Sequence, residues 1–190
     1  MVRDYSCCFT GHRPQRLPWG FDESDGRCSA LKQKLRSAIK LAITHGMTMF
    51  YTGMAMGTDI WAAEIVLELR EELHEPCIRL VAVIPHSGQE AKYPDDLKQR
   101  YRLILSEADE RIVLQEHYTD GCMQKRNRYM VDNSSMLIAV YSGDGGGTGY
   151  TFDYAKDRGF KSYGSIRSQA GCELTSKSNN TLDGSGRPFS

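Results

Sequence analysis

The sequence has no long hydrophobic run and no excess of either charge. No segment approaches the ~20 consecutive apolar residues that a membrane-spanning helix requires, so we expect no membrane partner. Lysine plus arginine number 24, and aspartate plus glutamate also number 24, which gives a formal net charge of zero. That balance provides no general attraction to nucleic acid or to an anionic membrane, so nucleic acid is not the expected partner.

Paired cysteine motifs are also missing. The six cysteines lack C-x-x-C spacing, and the first residues, "MVRDYSCCFTGHRP", lack the apolar core of a signal peptide. We therefore expect free thiols in a cytoplasmic protein. Cys7, Cys8 and His12 are not expected to bind zinc, because a fourth ligand is missing and neighbouring strand residues face opposite ways. The sequence predicts no metal site and no required cofactor.

Short apolar segments alternate with longer amphipathic ones, which predicts an α/β fold. We expect a single domain over residues 1–166 with a mostly parallel sheet and helices on both faces. The segment 167–190 is rich in serine, glycine and asparagine, and we expect it to be a disordered tail. The expected strands are 5–9, 48–52, 79–84, 111–115 and 136–141, with a weaker candidate at 161–166.

Two glycine-rich segments follow predicted strands and lead directly into predicted helices. They are "GMAMGTD" after the second strand and "SGDGGGTGY" after the strand at 136–141. Glycines let ligand oxygens approach backbone N–H groups, and a helix N-terminus adds about half a positive charge. Neither segment is a Walker motif or a spaced G-x-G-x-x-G. We expect both turns to bind phosphate, through Gly53, Gly57 and Thr58 in the first and Gly143, Gly145, Gly146, Gly147 and Thr148 in the second.

The sequence pattern leaves open the roles of two carboxylates on the second helix, Asp59 and Glu64. Asp59 is suited either to stabilise the positive end of that helix or to accept hydrogen bonds from ribose hydroxyls. Glu64 lies further along and could reach the same pocket or be a solvated helix residue. Trp61 is expected to be a core residue rather than a surface that stacks on a ligand.

Basic residues are expected to complete an anion site. Arg126 lies on a helix that leads into the glycine-rich strand, so its guanidinium could contact a phosphate. The loop after the first strand contributes Gly11, His12 and Arg13, of which the last two could both contact an anionic ligand.

Four motifs together resemble the YpsA-like branch of the SLOG superfamily, which unites the DprA/Smf DNA-processing proteins with the "lonely guy" phosphoribohydrolases. The motifs are "TGHRP", "GMAMGTDIWAAE", "RNRYMVDNSSMLIAVYSG" and "GGTGYTFDYAKDRG", and the resemblance covers about residues 5 to 159. It implies a Rossmann-like sheet that binds a nucleotide or a nucleotide-derived ligand, usually in bacteria or their phages. It also places the catalytic arginine of the phosphoribohydrolases on Arg126.

The glycine-rich turn departs from the phosphoribohydrolase pattern, because Thr151 stands where those enzymes have a glutamate. Asp153 is the nearest later carboxylate, about 140° further round a helix. We therefore expect a module that binds or senses a nucleotide, such as an ADP-ribose or NAD-like molecule. The alternative is an N-glycosidase acting on nucleoside monophosphates, with Arg126 and with Asp59, Glu64 or Asp153 as the carboxylate. Single-stranded DNA binding, by analogy with DprA, is a third hypothesis, and a homodimer stays open because related proteins often pair.

Overall fold

The computed structural model describes residues 2–143, 145–160 and 162–166. Within them, a six-stranded parallel sheet has the strand order β4-β3-β2-β1-β5-β6. The strands are β1 (Ser6–Gly11), β2 (Met49–Thr52), β3 (Arg79–Ile84), β4 (Glu110–Val113), β5 (Met136–Val140) and β6 (Ser162–Ile166). The helices are α1 (Gly26–Thr44), α2 (Thr58–Glu72), α3 (Asp95–Glu107), α4 (Cys122–Asp132) and α5 (Gly147–Asp157).

The central strands are largely apolar and buried, as expected for strands whose two faces are covered by helices. On one face, residues such as Phe9 and Phe50 pack with side chains of α1, α2 and α3. On the other, residues such as Leu137 pack with α4 and α5, for example with Met130 and Ala155. The α/β fold with helices on both faces, predicted from the sequence, is confirmed.

The predicted element positions agree closely with the structure. The first strand begins one residue later than expected, at Ser6, and the weaker candidate at 161–166 is β6, Ser162–Ile166. The predicted tail at 167–190 lies outside the described residues. In the described part of the chain, no helix is long and apolar enough to cross a membrane.

The sheet topology determines where a ligand would bind. The chain places β2, β3 and β4 successively to one side of β1, and β5 and β6 to the other. The loops after β1 and β5 therefore diverge at the carboxyl ends of two adjacent strands. In open parallel sheets this switch point is the usual ligand position.

Candidate functional site

A cleft of about 330 Å³ lies at the switch point. Its walls come from β1 and the loop after it, from the two glycine-rich turns and from α4. The lining residues are Phe9, Thr10, Gly11, His12, Arg13, Gln15, Arg16, Ala55, Asp59, Met123, Arg126, Asn127, Gly147 and Thr148.

Two helices begin at this cleft, each after a glycine with a positive φ. Gly57 precedes α2 with φ 87°, and Gly146 precedes α5 with φ 95°. L-residues rarely adopt this conformation, so glycine is required for both turns to enter their helices. The partial positive charges of both helix N-termini are therefore directed to the same end of the sheet.

Close packing between turns explains Gly11 and gives a second reason for the glycine at position 57. A Cβ at Gly11 would lie 2.5 Å from the Cβ of Thr58, and a Cβ at Gly57 would lie 2.9 Å from the carbonyl oxygen of His12. The Thr58 hydroxyl also donates to that carbonyl oxygen, at 3.3 Å. Because neither glycine has a side chain, the loop after β1 and the turn before α2 pack directly against each other at the floor of the cleft.

Arg126 enters the cleft from α4 and is only 4% exposed. Its Nε–H donates to Asn127 Oδ1 at 2.7 Å, and its Nη1 donates to the carbonyl oxygen of Gly53. The same Nη1 lies 3.6 Å from Asp59 Oδ2. These acceptors engage Nε and Nη1. In the described part of the chain, no hydrogen bond engages Nη2, and the Arg126 side chain lines the cleft.

Asp59 is a buried partner of this guanidinium rather than a simple helix cap. Its side chain is 7% exposed, and Oδ2 accepts from the backbone N–H of Ala55 at 3.3 Å. Burial raises the pKa of Asp59, while Arg126 and the Ala55 N–H favour its charged form. Burial also lowers the pKa of Arg126, against the effect of Asp59. A guanidinium starts from so high a pKa that Arg126 remains protonated at neutral pH.

His12 connects the loop after β1 to the end of β5. Its Nε2 accepts from the backbone N–H of Ser142 at 3.2 Å and lies 2.8 Å from Ser142 Oγ. These two contacts join the loop after β1 to the residues that follow β5.

Several lining residues were missed by the sequence reasoning. Arg16 is the most important, because its Nη1 donates to the carbonyl oxygen of Gly145 at 3.0 Å and lies against Gly146. Asn127 connects Arg126 to Thr151 on α5. The second arginine of "HRPQR", three positions after Arg13, could have drawn attention to Arg16, but Asn127 had no signal in the sequence beyond its position next to Arg126.

The predicted site residues are largely brought together. Gly11, His12, Arg13, Asp59, Arg126, Gly147 and Thr148 line the cleft, while Gly53, Gly57 and Thr58 lie directly behind its floor. Gly143, Gly145 and Gly146 belong to the turn before α5 but are not among the lining residues.

Of the two roles that the sequence left open for Glu64, the one in the cleft disagrees with the structure. Glu64 accepts from Arg100 at 2.6 Å and 2.7 Å and does not line the cleft. It lies five positions after Asp59, which places it about 140° away around α2. Trp61 is a core residue, as expected, with 1% exposure. Asp153 is exposed on α5.

The fold and this cleft define a Rossmann-like α/β protein with a polar cleft at the topological switch point. The YpsA family model, described as the "YspA SLOG family", matches residues 7–166. The chain therefore belongs to the YpsA family of the SLOG superfamily, which confirms the resemblance found in the sequence.

Similar proteins come from bacilli. The chain is 34% identical over 139 residues to the SPbeta prophage-derived protein YoqJ of Bacillus subtilis (strain 168), covering 66% of this chain and 80% of that protein. It is 27% identical over 153 residues to a UPF0398 protein of Bacillus thuringiensis (strain Al Hakam), covering 79% of this chain and 82% of that protein.

Two solved structures share the fold. DNA processing protein A (DprA) from Streptococcus pneumoniae has a TM-score of 0.58 at 17% identity, and the match covers 94% of this chain but 54% of that protein. DprA from Helicobacter pylori, described for its single-stranded DNA binding mode, has a TM-score of 0.57 at 17% identity over 90% of this chain and 69% of that protein. At this identity the likeness shows the fold alone.

Proposed function

We propose that this protein binds a nucleotide or a nucleotide derivative, with a phosphate group in the cleft at the switch point. The observation that carries the proposal is the burial of the Arg126 side chain together with its pattern of hydrogen bonds. That side chain is 5% exposed, two hydrogen-bond acceptors engage Nε and Nη1, and Asp59 Oδ2 lies 3.6 Å from Nη1. A guanidinium has five N–H donors, and the pair on Nη2 is left for an anionic acceptor.

The local charge supports an anionic ligand even though the chain is neutral overall. Arg13, Arg16 and Arg126 line the cleft, and Asp59 is the one carboxylate among the lining residues that the structure describes. The formal excess is therefore two positive charges, to which the N-termini of α2 and α5 add. A phosphate monoester carries a charge of about −1.5 to −2 at neutral pH, which matches this excess.

A ribose is the expected neighbour of that phosphate. The hydrogen bond and ion pair of Asp59 both involve Oδ2, so Oδ1 is the oxygen available to accept from a sugar hydroxyl. A cleft of about 330 Å³ is at the lower end of the ~300–1,000 Å³ typical of small-molecule sites. Its size favours a small ligand over a nucleic acid strand.

The test is a thermal-shift and calorimetric screen of AMP, GMP, CMP, UMP, ADP-ribose and NAD, with an oligothymidylate included as a single-stranded DNA probe. A ligand at 100 times its Kd stabilises the folded state by about 2.7 kcal/mol. We expect at least one nucleotide to raise the midpoint by roughly 5–10 °C at that excess. No shift with any nucleotide would contradict the proposal, and a shift with the oligothymidylate alone would favour a nucleic-acid ligand.

Substitution of Arg126 makes the test specific to the site. Arg126→Gln should weaken nucleotide binding about 10- to 100-fold, because hydrogen bonds to charged groups contribute about 1.5–3 kcal/mol. The matched control is Arg102→Gln, which removes the same charge from an exposed position on α3 outside the cleft. Equal affinity in the Arg126 and Arg102 variants would place the ligand elsewhere. Circular dichroism checks that the Arg126 variant is folded.

An N-glycosidase is the second candidate, favoured by one observation. Asp59 lies on the cleft beside Arg126, and burial raises its pKa, as is useful for a carboxyl group that exchanges a proton during cleavage. The position of the expected glutamate offers no carboxylate, because Thr151 is 1% exposed and its hydroxyl is hydrogen-bonded. Binding an anion in the ground state does not by itself accelerate bond cleavage. We therefore expect little or no release of free base from nucleoside monophosphates.

The two candidates are separated by assaying free base after incubation with AMP, GMP, CMP and UMP. Repeated turnover that is lost in both Arg126→Gln and Asp59→Asn would establish the glycosidase instead of the binding module. Nucleotide binding that the same variants weaken, without base release, would support the binding module.

A further inference from the structure

A series of hydrogen bonds along the wall of the cleft connects the two glycine-rich turns. The Nε–H of Arg126 donates to Asn127 Oδ1 at 2.7 Å, and Asn127 Nδ2 donates to Thr151 Oγ1 at 2.7 Å. The Thr151 hydroxyl then donates to the carbonyl oxygen of Gly147 at 2.8 Å. At the other end, Arg126 Nη1 donates to the carbonyl oxygen of Gly53.

In each of these hydrogen bonds, only one partner can be the donor. A guanidinium can only donate, so Asn127 must present its oxygen to Arg126. The single proton of the Thr151 hydroxyl is used on the Gly147 carbonyl, which cannot donate. Thr151 Oγ1 must therefore accept from the amide nitrogen of Asn127. The hydroxyl thereby fixes which end of the Asn127 amide faces the guanidinium.

We propose that Thr151 and Asn127 are positioning residues that orient Arg126 toward the ligand and set it relative to the first residue of α5. This inference rests on the proposed function of the cleft. It explains the threonine at a position where the resembling hydrolases have a glutamate. The side chain at 151 acts on the ligand through Asn127 and Arg126, and does not touch the sugar.

The inference predicts specific losses of affinity. Thr151→Val keeps the shape of the side chain but removes the hydroxyl, which frees the Asn127 amide to rotate. Asn127→Leu removes the acceptor of the Arg126 Nε–H. Thr151→Val should weaken AMP and ADP-ribose binding about 3- to 10-fold, the effect of losing one neutral hydrogen bond. Asn127→Leu should weaken it about 10- to 100-fold, because the bond that it removes comes from a charged group. The double variant should be no weaker than the worse single variant, because both changes break the same series of hydrogen bonds. Thr151→Ser keeps the hydroxyl and should bind as the wild type does.

A matched control separates positioning from general destabilisation. The Thr44 hydroxyl donates to the carbonyl oxygen of Leu41 at 2.8 Å, at the exposed end of α1. Thr44→Val therefore removes the same kind of helix back-bond far from the cleft, and it should leave both affinities unchanged. If Thr151→Val and Asn127→Leu leave the affinities unchanged while Arg126→Gln abolishes them, the inference is wrong and the proposed function stands. Additive losses in the double variant would also overturn the inference.

A second measurement needs no ligand, so the inference can be tested even if none of these nucleotides binds. The Nε–H of Arg126 gives an NMR resonance, identified by its disappearance in Arg126→Lys. Its hydrogen exchange should accelerate at least threefold in Thr151→Val and in Asn127→Leu, but not in Thr151→Ser or Thr44→Val. Unchanged exchange in both of the first two variants would show that this series of hydrogen bonds does not hold Arg126.

Discussion

The substitution Gly53→Ala should disrupt the cleft through a single methyl group. A Cβ at Gly53 would lie 2.7 Å from Asp59 Oδ2, which is 0.7 Å inside the 3.4 Å at which ordinary contact begins. It would lie closer still to the guanidinium of Arg126. The backbone of Gly53 does not have a positive φ, so the substitution introduces no strain of its own. The effect should come from displacement of the buried ion pair.

The size of the effect follows from that displacement. The guanidinium must move by more than 0.7 Å and lose its hydrogen bond to the Gly53 carbonyl oxygen. Overpacking of this kind costs about 1–3 kcal/mol. For a protein of this length, that lowers the thermal midpoint by roughly 2–12 °C. Nucleotide affinity should fall about 10-fold or more, because the Nη2 donors move with the guanidinium.

Calorimetric titration and thermal unfolding measure the two effects on the same samples. Gly26→Ala is the matched control, since nothing lies within 4 Å of its added Cβ and its φ is not positive. It should keep wild-type affinity and equal or slightly higher stability. A Gly53→Ala protein with wild-type affinity and midpoint would refute the packing argument for this glycine.

Two further predictions concern the second turn and the pH dependence of stability. Gly146→Val should reduce nucleotide affinity at least 10-fold in titrations, because Gly146 has φ 95° and its Cβ would lie 2.6 Å from Arg16 Nη1; unchanged affinity would show that the turn before α5 does not contact the ligand. Burial raises the pKa of Glu23, but hydrogen bonds from groups including Arg100 and Lys32 outweigh it and lower the pKa to about 2. The stabilisation is thus present above pH 4.5, the ordinary value, and is lost as the pH falls toward 2. Glu23→Gln should cost about 1–2 kcal/mol at pH 7, discounted for a side chain that is 33% exposed, and urea titrations should show a flatter loss of stability from pH 4.5 to 2; a pH profile identical to the wild type would contradict the assignment.

The sequence was sufficient for the elements whose signals are local. Apolar runs locate β1, β3 and β5, and a glycine-rich turn before a helix is visible in the chain itself. Other features depend on contacts between residues that are distant in the sequence. The sequence left Glu64 either in the pocket or solvated on its helix, and helical rotation directs it to Arg100 instead. Thr151 was recognised as a missing glutamate, while its bond to Asn127 joins residues 24 positions apart.

The backbone of the turn between β2 and α2 is another feature that the sequence alone does not reveal. Met54 has φ 57°, an uncommon conformation for a residue with a side chain, and it is fully buried. Its N–H donates to the Thr52 hydroxyl at 3.2 Å, and its carbonyl oxygen accepts from the Tyr93 hydroxyl at 3.2 Å. A residue more than 35 positions away thus holds the turn in shape. No pattern within "GMAMGTD" contains that contact.

The energetics of the buried pair connect the fold to the proposed function. Removing Arg126 and Asp59 from water is costly, and a buried ion pair is weak evidence for a stabilising role. Here burial works against the charged form of both residues, and their separation of 3.6 Å exceeds that of a direct hydrogen bond. An anion that accepts from Nη2 would supply the missing interaction. Ligand binding should therefore increase stability by an amount that grows with the ratio of ligand concentration to Kd, which makes thermal stability a direct reporter of the ligand.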